Sequence, residues 1–288
     1  MTNIPKTAKI YKQLGETPLE ALERFRAEMI NSEILSENST GIEYWKLVPM
    51  TYAGRLDPMA EGILIILVGD ECKNKEKYLG LDKEYEIEVV FGISTDTHDA
   101  LGLATLWPLT SKSETFDSME QKLLSLNLSK YCGKFIQEYP PYSAKTVGGK
   151  QLHELARTGE LPKKMPTREV EIYSIEKLSN KNDDPTEKTS GKNLLRANNL
   201  LEQIISMIDR VHGDFRQEQI KKKWRELLKT KQSEMKLPTS QNTNNYFYSL
   251  RCRVKCSGGT YMRTLADKIG QDLGTGAFVL TIKRTKIN

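Results

Sequence analysis

The spacing of apolar residues changes several times along this chain, and each change predicts a change of element. "ETPLEALERFRAEM" places Leu22, Phe25 and Met29 on one stripe of a helix. Thr17 stands at its N-cap, Pro18 at the first helical position and Glu20 where a capping box needs a carboxylate. "ILIILV" (Ile63 to Val68) is too short for a helix and lies between Gly62 and Gly69, which predicts a strand buried on both faces. "KEYEIEVVFG" alternates Tyr85, Ile87, Val89 and Phe91, the period of a half-buried strand. Leu155 lies in a short predicted helix that ends at Gly159.

The second half mixes the two periods. Leu201, Ile204, Ile205 and Ile208, then Ile220, Trp224, Leu227 and Leu228, recur at helical spacing between polar stretches near 180–199 and 238–245. Residues 180 to 245 therefore read as a helical insertion within a single domain. Strict alternation returns in "YFYSLRCRVKCS". It sets Tyr246, Tyr248, Leu250, Cys252, Val254 and Cys256 on one face and Arg251, Arg253 and Lys255 on the other. "GGTYMRTLADKIGQDLG" predicts a helix with Met262, Leu265, Ala266, Ile269 and Leu273 inward and Gly274 near its end. Strands and helices in this order make the class α+β.

Composition narrows the function classes. No run approaches the length of a membrane span and the N-terminus lacks a signal-peptide core, so a cytoplasmic protein with no membrane partner is expected. The four cysteines are scattered and read as reduced core residues. With three histidines in the chain, no metal site is expected. "GISTDTHDALG" is acidic but fails the EF-hand pattern, because no glycine holds the required loop position and Trp107 stands where the bidentate Glu belongs. "VGGKQ" and "GQDLGTGA" likewise miss the phosphate-loop and dinucleotide fingerprints, so no cofactor is expected. The net charge is +5, and Phe215 to Lys236 alone carries eight Lys/Arg against three Glu. A localised basic face suits a polyanion such as RNA, although a solvated helix face has the same composition.

The chemistry-bearing candidates are then few. Asp57 lies in "RLDP", where Pro58 biases it toward an extended backbone and Gly54 and Gly62 let the loop bend. A carboxylate on a short loop at a strand's mouth can act as nucleophile or base, or can simply end a turn. Arg263 stands in the first turn of the helix after "SGGT", where it can pair with a catalytic carboxylate or, as an ordinary surface residue, with Asp267 for only ~0.3–0.5 kcal/mol. Tyr85 is either core filler or an aromatic on which an unstacked base can rest.

Four stretches, in order, carry a resemblance: "AGRLDPMAEGILIILVG", "DKEYEIEVVFGISTDTHDALG", "YSAKTVGGKQLHELARTGE" and "CSGGTYMRTLADKIGQDLGTGAF". Together they resemble the TruB-type family of pseudouridine synthases, which modify the T-loop uridine of tRNA. The resemblance implies a mixed, mainly antiparallel sheet with flanking helices (the pseudouridine synthase fold), no cofactor or metal, and the tRNA T-arm as partner of a monomeric enzyme. Asp57 matches the family's catalytic aspartate in G-x-L-D-P, Tyr85 the tyrosine that stacks on the target base, and Arg263 the arginine that pairs with the aspartate. "YPPYSAKTVGGKQLHELARTGE" resembles the family's RNA-gripping thumb, which makes Lys145, Lys150 and Arg157 candidate backbone contacts. Tyr52 stands where the family often has a histidine that assists RNA docking, the N-terminal K-P-x-G turn is here "KQLG", and the order after "YSA" is scrambled. The chain ends at "KRTKIN" soon after the last stretch, so the family's C-terminal RNA-binding PUA domain is expected to be absent. The basic insertion, through Lys221, Lys222 and Lys223, is expected to supply RNA affinity in its place. An RNA-binding or RNA-folding protein that kept the cleft without activity, or a synthase acting on another RNA, shares most of these features.

Overall fold

The computed structural model describes residues 5–107, 121–178, 192–233 and 246–288. In the first half, strands β1 (Thr7–Lys12), β2 (Met50–Ala53), β3 (Ala60–Val68), β4 (Lys83–Phe91), β5 (Ile93–Thr95) and β6 (Ala104–Leu106) alternate with helices α1 (Pro18–Leu35), α2 (Ser39–Leu47) and α3 (Lys75–Leu79). Beyond them come β7 (Gly133–Glu138), β8 (Thr146–Val147), β9 (Lys150–Gln151), helix α4 (Leu152–Thr158) and β10 (Thr167–Lys177). The chain continues through β11 (Lys192–Arg196), α5 (Ala197–Asp209), α6 (Gln217–Ser233), β12 (Tyr246–Cys256), α7 (Met262–Leu273) and β13 (Ala277–Ile287). Of the polar stretches near 180–199 and 238–245, residues 180–191 and 238–245 lie outside the described residues, whereas 192–199 form β11 and the start of α5 rather than a loop.

One large sheet runs β1-β3-β13-β4-β12-β10-β7, with β2 also on β3 and β11 also on β12. Its pairs are antiparallel except β13 with β3, which meet in parallel over Ile282 to Arg284 against Ala60 to Gly62. This is the mixed, mainly antiparallel sheet with flanking helices that the family resemblance implies, within the α+β class read from the patterns. Local signals set the elements. Thr17 and Glu20 close the expected capping box of α1, and α4 ends at Gly159 in the left-handed conformation, φ 73°.

The sheet is covered on both faces at its centre. One core packs Leu265, Ala266 and Ile269 of α7 against Ile87, Val89, Val254 and Val279. The other packs Leu200, Ile204 and Ile208 of α5 and Ile220 and Trp224 of α6 against Val90, Phe247, Phe278 and Leu280. Phe247, on the same face of β12 as Arg251, Arg253 and Lys255, is buried in this core, and Ser249 beside it is buried as well. Further along, Arg251 and Arg253 are half-buried and Lys255 is exposed, and Arg253 pairs with Glu86 at 2.8 Å. A third core seats α1 and α2 on Leu64, Ile66 and Val68 of β3.

The sheet forks at β3. Along the same edge of β3, the segment Ala60–Gly62 pairs with β13 and the segment Ile65–Val68 pairs with β2. Ile63 lies between them, and its carbonyl accepts a 2.7 Å hydrogen bond from Arg284 Nε in place of a strand partner. The loop joining β2 to β3, which carries Asp57, projects from this fork.

Candidate active site

The Asp57 loop is pinned through its backbone. Ala60 N donates to Asp57 O at 2.9 Å, closing a tight turn over Asp57–Ala60, and Gly15 N donates to Pro58 O at 2.9 Å. On one side Arg284 donates to Gly54 O at 2.9 Å; on the other Lys12 Nζ donates to Ala60 O at 2.6 Å. Arg284 and Lys12 are almost fully buried, and burial pushes the Lys12 ammonium down to about 8 although the Asp57 carboxylate works against the shift. A buried cation is costly unless its donors are satisfied, and both side chains meet that cost with loop carbonyls. Gly62 permits the approach: it has φ 116°, and a Cβ there would lie 2.2 Å from Arg284 O.

Asp57 is held at its side chain by Arg263, whose Nε lies 2.8 Å from Asp57 Oδ2. Arg263 is 3% exposed and Asp57 37%, so a buried cation anchors a carboxylate that still faces solvent. The guanidinium is itself fixed. Its Nη1 donates to Thr97 O at 2.9 Å and its Nη2 to Tyr142 O at 3.0 Å. A second carboxylate, Asp99 Oδ2, lies 3.7 Å from the same Nε. The Nε–H makes no aligned hydrogen bond with either acid and sits between them as an ion-pair partner. Burial works against the charge on Arg263, but Asp57 and Asp99 outweigh it and raise the pKa.

Asp99, like Lys12 and Arg284, is a candidate-site residue that the sequence patterns do not mark. It lies in "STDTHDALG", where Oδ1 accepts from Thr97 Oγ1 at 2.7 Å and from Leu101 N at 2.9 Å, while Thr95 Oγ1 caps its carbonyl at 2.8 Å. Burial pushes its carboxyl up to about 6. The crowded acids of this stretch were the available signal. Asp99 lies near Arg263 at 3.7 Å and Asp96 pairs with Arg216 at 3.1 Å, and among the described residues no three His, Cys, Asp or Glu side chains are placed to hold a metal ion.

Tyr85 stands on β4 across from Arg284 on β13 and is 7% exposed. Burial raises its phenol pKa and the Asp57 carboxylate adds to the rise, while the Arg284 guanidinium opposes it. Tyr85 packs in the same core as Leu56, the residue before Asp57. The structure thus brings Asp57, Arg263 and Tyr85 to one end of the sheet, joined by Asp99 and Arg284.

The two glycines of "SGGT" permit close approach of neighbouring segments. A Cβ at Gly258 would lie 2.4 Å from Leu79 O, and one at Gly259 would lie 2.0 Å from the Arg168 guanidinium. They let neighbouring parts of the protein approach and so seat the start of α7, from which Arg263 reaches inward.

The remaining candidates make contacts of their own, away from the Asp57–Arg263 pair. Tyr52 on β2 is half-buried, with Arg55 Nη2 3.3 Å from its hydroxyl and Lys75 Nζ 5.4 Å from its ring centroid. Lys145 and Lys150 are exposed beside the β8–β9 hairpin; Lys145 lies over the Tyr139 ring at 5.4 Å and Lys150 pairs with Glu160 at 3.3 Å. Arg157 is exposed and donates to Asp214 O at 2.7 Å. Lys222 and Lys223 are exposed on α6, whereas Lys221 is held between Asp209 at 2.8 Å and Glu218 at 2.6 Å. Among the described residues no helix is long and apolar enough to cross a membrane.

Comparison with known proteins places the chain in a family. The family model described as "TruB family pseudouridylate synthase (N terminal domain)" matches residues 44–193. The tRNA pseudouridine synthase B of Francisella tularensis subsp. holarctica is 29% identical over 235 residues, covering 82% of this chain and 54% of the relative. That of Aromatoleum aromaticum is 31% identical over 236 residues, covering 82% of this chain and 53% of the relative. The chain thus spans about half the length of these curated relatives. Among solved structures, a Cbf5-Nop10-Gar1 complex aligns with a TM-score of 0.46 at 15% identity, over 98% of this chain and 48% of the matched chain. The family match covers half of the chain and includes both the Asp57 loop and Tyr85: the chain belongs to the TruB family of pseudouridylate synthases.

Proposed function

We propose that this chain converts uridine to pseudouridine in RNA, that its substrate is the T-loop uridine of tRNA, and that Asp57 is the carboxylate that acts. The observation that carries the reading is the pair formed by a part-exposed Asp57 and a buried Arg263, in a chain of this family. The names of the two curated relatives support tRNA as the substrate.

The reaction breaks the C1′–N1 bond of uridine, turns the base and forms C1′–C5; the proton leaves C5 and N1 regains one. The step is redox-neutral and balances without a co-reactant. An ionised carboxylate beside the sugar can open it, either by attack on C1′ or by removing the C2′ proton. Among the described residues Asp57 is paired with Arg263 alone, through Oδ2. The clamp fixes the direction of the carboxyl group before substrate arrives, which supports an orientational contribution to the rate. Tyr85 keeps a neutral phenol, suited to stacking on an extruded base, and extrusion costs a few kcal/mol that stacking and phosphate contacts offset. Lys145, Lys150 and Arg157 on the thumb and Lys222 and Lys223 on α6 are the phosphate contacts of this reading, with Tyr52 at the docking edge.

The test is to incubate the chain with a T-arm stem-loop and with an unrelated uridine-containing stem-loop, then map pseudouridine by chemical probing. Product at the T-loop uridine alone is expected. Product in neither RNA rejects the reading, and product in both rejects T-loop specificity.

A further inference from the structure

The loop joining α5 to α6, residues 210–216, is not a free surface turn. It touches the segments that shape the site from three sides. At Gly15, whose N–H holds Pro58 O, a Cβ would lie 2.0 Å from Arg210 O, and His212 N donates to Gly15 O at 3.2 Å. At the thumb, Arg157 donates to Asp214 O at 2.7 Å. At its end stands Arg216, a non-glycine residue with φ 63°, a backbone state that costs free energy and persists where surrounding contacts hold it.

Those contacts are specific. Arg216 Nη2 donates to Asp96 Oδ2 at 3.1 Å, and its guanidinium carbon lies 4.7 Å from the centroid of the Tyr142 ring. Asp96 precedes Thr97, and the carbonyls of Thr97 and Tyr142 are the two that hold the Arg263 guanidinium. Asp96 Oδ1 also accepts from Leu103 N at 2.7 Å, closing the Asp99 loop on itself. Arg216 is therefore joined to both segments that grip Arg263, and it comes from the helical pair that the sequence suggests as an RNA-binding appendage.

We propose that Arg216 is a positioning residue. It cross-links the 96–103 loop to the segment around Tyr142 and thereby fixes Arg263 against Asp57. The proposal rests on the uridine-isomerising reading above. Arg216 touches neither Asp57 nor Arg263, so it acts through their supports.

The experiment compares wild type with Arg216→Gln, Arg216→Lys, Asp96→Asn and the Arg216→Gln/Asp96→Asn double variant. It measures single-turnover pseudouridine formation on a T-arm stem-loop, the Kd for that RNA, and hydrogen exchange at the Arg263 Nε–H by NMR. Arg216→Gln and Asp96→Asn are each expected to slow conversion by about tenfold to a hundredfold, the size of effect a small misplacement produces. Kd should stay within about twofold, Arg216→Lys should recover part of the rate, and the double variant should be no slower than the worse single one. The Arg263 Nε–H should exchange about tenfold faster in both single variants, an expectation that follows from loosening its supports. An unchanged rate, a loss confined to Kd, or single effects that multiply would overturn the proposal. If Arg216→Gln does not fold, Asp96→Asn carries the same readings. If wild type converts no RNA, the functional reading fails, and the Arg263 exchange rates alone still decide whether Arg216 positions it.

Discussion

At the scale of single residues the site is an exercise in holding charge. Arg263 is buried with two carboxylates near its Nε, and Asp99 is the deeper of them. Its carboxyl is raised from 3.8 in an unfolded chain to about 6 in the fold, burial being the largest cause. A raised folded value means that the native state binds the proton more tightly than the unfolded state. The stability contributed by Asp99 is therefore complete below about pH 4 and is lost as pH rises through about 6. Carboxyls held below their ordinary range by partners, such as Glu84 beside Thr285 and Lys286, pull the other way. Asp99→Asn removes the falling component, so its stability should climb more steeply than that of wild type between pH 4 and 6. Urea unfolding at several pH values measures the difference, and parallel curves would refute the assignment. Arg263→Lys tests the fork geometry: one ammonium cannot reach Thr97 O, Tyr142 O and Asp57 together. Conversion should fall by about a hundredfold with Kd for the RNA little changed.

At the scale of elements, α5 and α6 are the part whose role the structure changes most. Their apolar faces cover β4, β12 and β13, and Trp224, fully buried, donates from Nε1 to Ala100 O at 3.1 Å in the Asp99 loop. Trp224→Phe keeps the ring but orphans that carbonyl and should cost about 1–3 kcal/mol in urea unfolding. Trp224→Ala should cost about 3–5 kcal/mol. A surface appendage would tolerate both. The outward face can still meet RNA. Replacing the exposed Lys222 and Lys223 by Ala should raise Kd and flatten its dependence on salt, whereas an unchanged salt slope would remove them from the interface. Lys221→Ala should do less to Kd, because that ammonium is already engaged by Asp209 and Glu218.

At the scale of the whole molecule, the sequence exposes what local patterns encode and hides what long-range packing decides. The capping box at Thr17, the buried run after Gly62 and the alternation of β4 and β12 are legible because each depends on neighbours in the chain. β13 is not: Lys283, Arg284 and Lys286 interrupt its apolar pattern, yet it lies between β3 and β4 near the middle of the sheet. Its Arg284 looks like a surface charge until the fork at Ile63 and the loop at Gly54 are brought to it from more than two hundred positions away. Lys12 is hidden in the same way. Asp57, Tyr85 and Arg263 could be named from ordered motifs, but Asp99 and Arg216 gain meaning only once Arg263 is seen inside.

Whether Asp57 carries the isomerisation is decided by single-turnover conversion of a T-arm stem-loop with wild type and Asp57→Asn. Wild type should form pseudouridine at the T-loop uridine, and Asp57→Asn should form none while binding the same RNA with a Kd within about threefold, because the change is isosteric and removes the reacting charge while Asp99, Thr97 O and Tyr142 O still hold Arg263. Pseudouridine from the Asn variant at a rate near that of wild type would mean that a group other than Asp57 carries the reaction.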